Sequence, residues 1–221
     1  MPLDWQRVFE LLPKATFQTI YMVFFSTIFA CIIGLPFGTL LFCASPAGLR
    51  PRRLFYNTLS RIVNLLRSFP FIILMIIIMP ISRFLIKTSV GPTAVIIPLS
   101  IAAAPFVARL VEQAIQEVDY GVLTAARAMG STNFQIIYKV LLPEALPALV
   151  SSLALTIITL IGYSAMAGAL GGGGLGDMAI RFGYYGFHWE VTAAAVIVVL
   201  ILVELVQAAG TIISRRLLVK R

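Results

Sequence analysis

Long stretches without charge alternate along the chain with shorter segments that carry most of the charged residues. Five stretches hold at most one charged residue each, at residues 17–44, 68–82, 88–108, 145–176 and 191–214. Because the hydrocarbon core of a bilayer is about 30 Å thick and takes roughly 20 apolar residues per helix, this pattern predicts about five transmembrane helices. The second stretch is short, so we extend its helix backwards through residues 62–66, past Arg67.

Composition supports the same fold class. Of the 221 residues, 60% are hydrophobic and only 12% are charged, and the mean hydropathy is +0.98. Soluble domains are roughly half apolar and about a quarter charged. Five spans leave no room for a soluble catalytic domain, so the sequence predicts an all-α, polytopic membrane protein in which residues 1–221 form one membrane domain.

The first stretch is longer than a secretory signal. Its apolar run far exceeds the roughly 7–15 residues of a signal peptide, so we expect it to remain in the protein. Its two cysteines, Cys31 and Cys43, would lie about 18 Å apart along a helix, which is too far for a disulfide bond. We therefore expect two free thiols.

Lysine and arginine residues are distributed unevenly over the two sides of the predicted membrane domain. If the C-terminus is cytoplasmic, the inside set is Arg50, Arg52, Arg53, Arg61, Arg67, Arg109, Arg127, Lys139, Arg215, Arg216, Lys220 and Arg221, and the outside set is Arg7, Lys14, Arg83, Lys87 and Arg181. Cytoplasmic loops carry the excess of positive residues. The count predicts a multi-pass protein of a bacterial plasma (inner) membrane, with its N-terminus outside and its C-terminus in the cytoplasm.

The net charge of +8 is placed at the predicted membrane boundaries rather than on one face with interleaved aromatic residues. Basic residues at such boundaries are attracted to anionic lipid headgroups. We therefore expect the lipid bilayer, and not nucleic acid, to be the partner of these charges.

The cytoplasmic connection between the third and fourth spans, residues 112–144, is too structured to be a simple linker. Asp119 can cap the start of a first helix, and Gly130 suits the left-handed residue that ends it. On pattern alone, helices that lie on the membrane surface are an equal alternative to helices that bind a partner.

A second helix is predicted after Gly130. Thr132 and Gln135 have the spacing of a capping box, and Pro143 predicts a break near the membrane. The apolar face of this helix consists of Phe134, Ile137, Tyr138 and Leu141.

A motif in this segment resembles that of a known family. The sequence Thr124-Ala125-Ala126-Arg127-Ala128-Met129-Gly130, followed after nine residues by Val140-Leu141-Leu142-Pro143, resembles the cytoplasmic signature of permease subunits of bacterial ATP-binding-cassette importers. The family pattern is Glu-Ala-Ala, three residues, Gly, nine residues, then Ile, any residue and Leu-Pro. The spacing agrees throughout, whereas Thr124 replaces the usual Glu and Val140 the usual Ile.

This resemblance implies a cytoplasmic coupling helix, which inserts into a groove on a separate ATPase. The implied coupling residues are Thr124, Ala125, Ala126, Arg127, Gly130, Leu142 and Pro143. Among them, Ala125, Ala126 and Gly130 are expected to carry the close contact. Thr124 lacks the charge of the family Glu, so we expect no salt bridge to the ATPase at that position.

Four further stretches, residues 64–74, 103–109, 139–147 and 162–166, are similar to the methionine permease branch of the family. The resemblance implies a subunit that moves L- or D-methionine, or a close derivative, into the cytoplasm, with another amino acid as the alternative cargo. The implied partners are a second copy of the chain, two cytoplasmic ATPases that bind ATP and Mg, and an extracytoplasmic substrate-binding protein. The chain itself is expected to bind no cofactor or metal and to catalyse no reaction.

Two glycine motifs test whether this chain binds nucleotide. Gly171, Gly173 and Gly176 fit G-x-G-x-x-G, but a dinucleotide site needs a strand before the glycines, and a membrane helix precedes them here. We instead expect a flexible or tightly turning exit on the outer side. The phosphate-binding motif G-x-x-x-x-G-K-[ST] does not occur in the sequence, so ATP hydrolysis would require another polypeptide.

Two other functions compete with an ATP-driven importer. An ion-coupled secondary transporter predicts intramembrane ion ligands, but Glu204 is the one acid within a predicted span, and we expect it to be protonated or to face the bundle. A membrane enzyme needs a constellation of nucleophile, base or metal, and none converges here. The sole histidine, His188, lies beside Trp189 and is interpreted as an interfacial anchor.

The fourth span is the candidate for lining a substrate path. Hydroxyl and thioether groups are interspersed among its aliphatic residues, at Thr156, Thr159, Tyr163, Ser164 and Met166. Ordinary helix packing is an equal alternative, because small and hydroxyl residues also hold membrane helices together.

Overall fold

The computed structural model describes the backbone of residues 5–219 and the side chains of residues 8–219. Within that range the chain is helical and contains no β-strand. The side chain of Arg7 and the residues Lys220 and Arg221, which enter the charge count, lie outside the described residues.

The helices follow one another through short connections. In chain order they are α1 (Trp5–Ala44), α2 (Arg53–Ser68), α3 (Phe71–Ile86), α4 (Pro92–Gln116), α5 (Tyr120–Ala128), α6 (Asn133–Gln135), a first π-helical segment (Ile136–Leu141), α7 (Leu142–Glu144), α8 (Leu146–Gly168), α9 (Gly174–Met178), a second π-helical segment (Ala179–Tyr184) and α10 (Trp189–Val219).

Four single helices are long and apolar enough to cross a membrane: Val8–Ala44 within α1, α4, α8 and α10. The helices α2 and α3 meet the same requirement only as a pair. The predicted five spans are confirmed if that pair counts as one broken span.

The prediction of one continuous helix through residues 62–82 is wrong. Helix α2 ends at Ser68, and Pro70 has the extended angles φ −59° and ψ 127° before α3 begins. Proline disfavours helical angles in the residue before it, so the first helix does not continue through Phe69. Helix α3 then runs beyond the predicted Ser82 to Ile86 and ends at Lys87, whose φ of 66° is left-handed.

Backbone contacts divide the described residues into two compact units. The first contains the residues up to Phe29, Phe69–Ala103 and Ile157–Gln207, and the second contains Ala30–Ser68, Ala104–Thr156 and the residues from Ala208 onward. In the first unit, Val8 and Ala15 of α1, Leu175 and Met178 of α9, and Val191 and Ala195 of α10 form one buried cluster. In the second, Leu41, Val63 and Ala108 join α1, α2 and α4.

Two glycines let α1 approach α4 closely in the second unit. A Cβ on Gly34 would lie 2.8 Å from the carbonyl oxygen of Ala104, and one on Gly38 would lie 2.6 Å from the Cβ of Val111. This four-residue spacing of small residues is the usual way in which membrane helices come into direct backbone contact. Cys31 and Cys43 on the same helix are free, as the sequence predicts.

The glycine-rich run after α8 makes a tight turn in the first unit, which confirms that part of the sequence interpretation. Gly171, Gly173 and Gly174 have φ of 82°, 78° and 80°, a range open mainly to glycine. The N–H groups that open α9 are bound by α1: Gly174 donates to Gln18 Oε1 and Leu175 to Thr19 Oγ1, each at 2.9 Å. The start of α9 is thus capped by side chains of the chain itself.

Replacing Gly176 by alanine is expected to lower the free energy of unfolding by about 1–3 kcal/mol, because overpacking forces neighbours apart. A Cβ at that position would collide with the carbonyl oxygen of Ala165. The matched control is Gly162→Ala in α8, where the space around the new methyl group is open. Detergent-titrated unfolding in mixed micelles measures both, and equal stability of the two variants would contradict the packing argument.

Candidate docking surface and substrate path

The short helix α5 begins and ends where the sequence predicts. The Asp119 side chain accepts a hydrogen bond from the backbone N–H of Gly121 at 2.6 Å. Gly130 has a left-handed φ of 75°, and its N–H donates to the carbonyl oxygen of Arg127 at 3.0 Å. The cap and the terminal glycine are both confirmed, because each provides partners for backbone groups that helix ends leave free.

Helix α5 has one buried side and one open side. Leu123 and Ala126 are 4% and 2% exposed and pack into the second unit. The opposite side carries small residues, namely Gly121, Thr124, Ala125 and Ala128, all of them exposed. Residues three, four and seven apart share one face of a helix, so these four form a single stripe. We call them the docking stripe, because small side chains let another surface approach the helix closely.

The coupling residues implied by the resemblance do not all lie on the docking stripe. Thr124 and Ala125 belong to it, and the Thr124 hydroxyl donates to the carbonyl oxygen of Tyr120 at 2.9 Å. Ala126 instead faces its own chain. The Arg127 Nη2 donates to the carbonyl oxygen of Gly48 at 3.4 Å, which ties α5 to the loop after α1.

Two residues of the docking stripe, Gly121 and Ala128, were not singled out from the sequence. The signal was present, since they lie three and four residues from Thr124 in the same helical register. Of the remaining coupling residues, Gly130 and Pro143 are exposed and Leu142 is half-buried.

The second helix of the segment begins as predicted. Thr132 and Gln135 form the capping box: the Gln135 N–H donates to Thr132 Oγ1 at 3.4 Å, and the Thr132 N–H donates to Gln135 Oε1 at 2.9 Å. The break predicted at Pro143 is confirmed within two residues, because α7 spans only Leu142–Glu144 and Ala145 separates it from α8. Before Pro143 the helix is π-helical: the Leu142 N–H bonds to Ile137 O, five residues back, and this wider turn relieves the clash that a proline ring makes in an α-helix.

The predicted apolar face of this helix is divided between core and surface. Leu141 is 1% exposed, whereas Phe134 and Tyr138 are 75% and 67% exposed. Their two rings are stacked, with centroids 6.3 Å apart. The segment from Tyr120 to Tyr138 therefore presents a stripe of small residues and a pair of exposed aromatic rings.

A polar cluster around the buried Glu112 joins α2 to α4 within the second unit. Arg109 Nη1 forms an ion pair with Glu112, whose side chain is 1% exposed. Arg109 Nη2 donates to Ser60 Oγ at 2.7 Å and to Asn64 Oδ1 at 2.8 Å on α2. The Gln116 side chain donates to the other carboxylate oxygen of Glu112 at 3.4 Å. From the sequence, Arg109 counted only as a positive charge at the membrane boundary, because its partners on α2 are distant in the chain.

The hydroxyl groups of the proposed path residues differ in their surroundings. Thr156 and Ser164 are 1% and 2% exposed. Thr156 donates to the carbonyl oxygen of Ser152 at 2.8 Å, and Ser164 to that of Ile161 at 2.7 Å. Hydroxyl groups in helices commonly bond back to the preceding turn in this way. In the single chain these two side chains are turned inward.

Thr159 and Met166 lie on a different side of α8, together with Gly162. Met166 is 47% exposed, the space beside Gly162 is open, and Thr159 is half-buried. Tyr163 is also half-buried, and its ring stacks on that of Phe71 with centroids 4.6 Å apart. We call Thr159, Gly162 and Met166 the open face of α8.

The structure also places Glu204 and His188, the two other candidate residues from the sequence. Glu204 is exposed near the middle of α10, so the alternative in which it faces the bundle of its own chain is wrong. His188 is half-buried at the turn before α10, beside Trp189, which is 80% exposed.

Residues 34–219 match the model of a protein family described as the binding-protein-dependent transport system inner membrane component. The chain belongs to this family. Members are inner membrane, multi-pass transport subunits, and the four apolar helices and the broken pair α2–α3 agree with that description. The resemblance on which the sequence interpretation rests is confirmed.

Several named relatives are similar to this chain over most of its length. The chain is 44% identical to a probable D-methionine transport system permease protein MetI of Vibrio cholerae, over 94% of this chain and 92% of that protein. It is 47% identical to the D-methionine transport system permease protein MetI of Escherichia coli K12, over 76% and 75%. A chain from inward-facing structures of the MetNI methionine ABC transporter superposes with a TM-score of 0.92 at 46% identity, covering 95% of this chain and 97% of that one.

Proposed function

We propose that this family member is the permease subunit of an ATP-driven importer and that its cargo is methionine. The observation that carries the proposal is the docking stripe on α5, held by its cap and terminal glycine at the cytoplasmic signature of such permeases. The relatives named for D-methionine transport, at 44% and 47% identity, support the cargo. The chain is therefore a transport subunit and not an enzyme.

The proposed assembly contains two copies of the chain, two ATPases and an extracytoplasmic binding protein. Each copy offers one docking stripe, so two copies receive two ATPases. ATP and Mg bind to the ATPases, since the sequence of this chain lacks the phosphate-binding motif. Opening and closing of the ATPases then moves α5, and the path opens alternately to the two sides. ATP hydrolysis supplies the driving energy, and the difference in nucleotide and substrate affinity between those states couples it to transport.

The orientation proposed for the chain places α5 and the C-terminus in the cytoplasm. It is supported by the excess of lysine and arginine on that side. We expect a membrane-impermeant thiol reagent added to intact cells to label a Phe187→Cys variant and not a Met129→Cys variant, with Cys31 and Cys43 replaced by serine. Both positions are exposed, at 93% and 78%, so accessibility in the single chain is matched. Labelling of position 129 alone would reverse the orientation.

The substrate path is proposed to run along the open face of α8, with Tyr163 beside it, whereas Thr156 and Ser164 support the helix from within. Gly162→Phe is expected to reduce uptake roughly tenfold or more, because filling a closely fitted passage costs about 1–3 kcal/mol. Gly162→Ala, which adds only one methyl group in open space, is the small-residue control at the same position and keeps most uptake. Uptake is measured in vesicles with the assembled complex, and normal uptake by Gly162→Phe would remove this face from the path.

The experiment that tests the function is uptake of labelled methionine by cells that carry the chain with its ATPase and binding protein. The control cells carry an ATPase that binds but does not hydrolyse ATP. Uptake that disappears in the control supports an ATP-driven methionine importer, and equal uptake in both indicates an ion-coupled transporter. If the assembled complex hydrolyses ATP but takes up no methionine, the chain is still an importer subunit and its substrate is a different amino acid. Competition between L- and D-methionine assigns the stereoisomer.

A further inference from the structure

Helix α2 is held within the second unit by one apolar cluster and by contacts of two arginines. Val63 is the one residue of α2 that is fully buried. Tyr56 and Leu59 of α2 are partly buried and pack against the cluster that Val63 forms with Leu41 and Ala108. Two arginines make further contacts between α2 and α4: Arg109 binds Ser60 and Asn64, and the Arg67 guanidinium lies 5.6 Å from the centroid of the Phe106 ring. To this hydrophobic packing, Arg109 adds directional hydrogen bonds between α2 and α4.

Net stability does not explain a buried ion pair at this place. A buried pair is often no more stabilising than apolar residues of similar volume, because both charges lose their hydration. Its distinctive property is geometry, since the planar guanidinium donates in fixed directions. Arg109 uses one nitrogen for Glu112 on its own helix and the other for two oxygens on α2. It fixes one register between the two helices.

The polar cluster lies directly before the docking segment in the chain. Gln116, which binds Glu112, is the last residue of α4, and Asp119 already caps α5. The connection keeps helical bonds, with the Glu117 N–H donating to Gln113 O and the Val118 N–H to Ile115 O, each at 3.2 Å. These bonds reach Val118, and Asp119, with ψ 131°, then leads into α5. Because only three residues separate the two helices, we expect a displacement of α5 to reach the end of α4 that carries the cluster.

We infer that Arg109 is a positioning residue for the coupling of ATP hydrolysis to transport: it locks α2 to α4, so that displacement of α5 moves both helices together. The inference rests on the proposed function, in which α5 receives the motion of the ATPase. Without the lock, the ATPase still docks and hydrolyses ATP, but α2 and α3, which follows it, respond incompletely. A purely structural role predicts a different result, in which hydrolysis and transport fall together.

The test removes the α2 side of the lock and leaves the Arg109–Glu112 ion pair in place. The variant is Ser60→Ala with Asn64→Ala, in the complete complex reconstituted with ATPase and binding protein in lipid vesicles. Thr58→Ala is the matched control, because that exposed hydroxyl of α2 bonds only to Leu54 O of its own helix, at 3.0 Å. Asn64→Asp keeps an acceptor for Arg109 and serves as the conservative variant. The readout is labelled methionine imported per ATP hydrolysed.

The expected ratio falls about fivefold to tenfold in the double variant, the scale on which residues of a coupling network change the coupling between sites, and stays normal in Thr58→Ala and Asn64→Asp. An unchanged ratio, whether or not both rates decline, overturns the inference and leaves a structural role. If the double variant does not assemble, Ser60→Ala and Asn64→Ala are measured singly by the same ratio and the same criterion. Absence of ATP-dependent uptake by the unaltered complex would instead refute the proposed function.

Discussion

An Ala125→Leu variant is expected to bind the ATPase at least about tenfold more weakly than the unaltered chain. The docking stripe consists of Gly, Thr and Ala, so a groove that fits it has no room for an isobutyl group, and overpacking costs about 1–3 kcal/mol. Ala125 is exposed, so the larger side chain does not disturb the packing of this chain. Titration of the purified permease with the ATPase in detergent micelles measures the affinity.

The control for this variant is Ala193→Leu, the same substitution at an exposed alanine in the first turn of α10. It is expected to leave ATPase affinity and membrane insertion unchanged. Affinity of Ala125→Leu equal to that of the control would show that the docking stripe is not the contact surface.

Gly130 requires a different comparison, because its φ of 75° is unfavourable for residues with a side chain. Gly130→Leu is expected to weaken ATPase binding, but strain in the backbone contributes to that loss whatever the ATPase contacts. Gly130→Asn tolerates the left-handed conformation better and has open space around its Cβ. Normal binding by the asparagine variant would attribute the leucine effect to backbone strain, whereas weak binding by both variants would assign an ATPase contact to position 130.

Removal of one partner of the buried ion pair has the second large expected effect. Glu112→Leu leaves Arg109, whose side chain is 15% exposed, without its countercharge. Breaking a buried pair in this way typically costs about 3–5 kcal/mol. Detergent-titrated unfolding in mixed micelles should show a correspondingly large loss of stability.

The double variant Arg109→Met with Glu112→Leu should regain most of that stability, because both charges are then removed from the interior. We nevertheless expect it to remain defective in transport, since Ser60 and Asn64 have lost their link to α4. Equal destabilisation of the single and double variants would show that the cost lies in packing volume rather than in the unpaired charge.

The sequence by itself determined four single spans, though not the break in the remaining one, and it determined the start and end of α5 and the capping box at Thr132. Each of these follows from chain-local physics: a bilayer needs about 20 apolar residues per helix, and a cap or a left-handed glycine acts on backbone within a few residues. The small residues near Ala125 could also be identified from the sequence, because they lie within a few residues of one another. The resemblance added the family, which no periodicity could supply.

Tertiary structure decided which side of each helix is used. Ala126 lies beside Ala125 in sequence yet faces the core, and Thr156 and Ser164 turn inward while Gly162 and Met166 stay open. Ser60 and Asn64, which lie 49 and 45 positions before Arg109, bind its side chain. The sequence placed this charge at the membrane boundary, whereas the structure shows that it links two helices. The π-helical turn before Pro143 is a further feature that no local pattern predicted. These outcomes depend on distant contacts, and chain-local patterns specify which residues are apolar but not which neighbours will cover them.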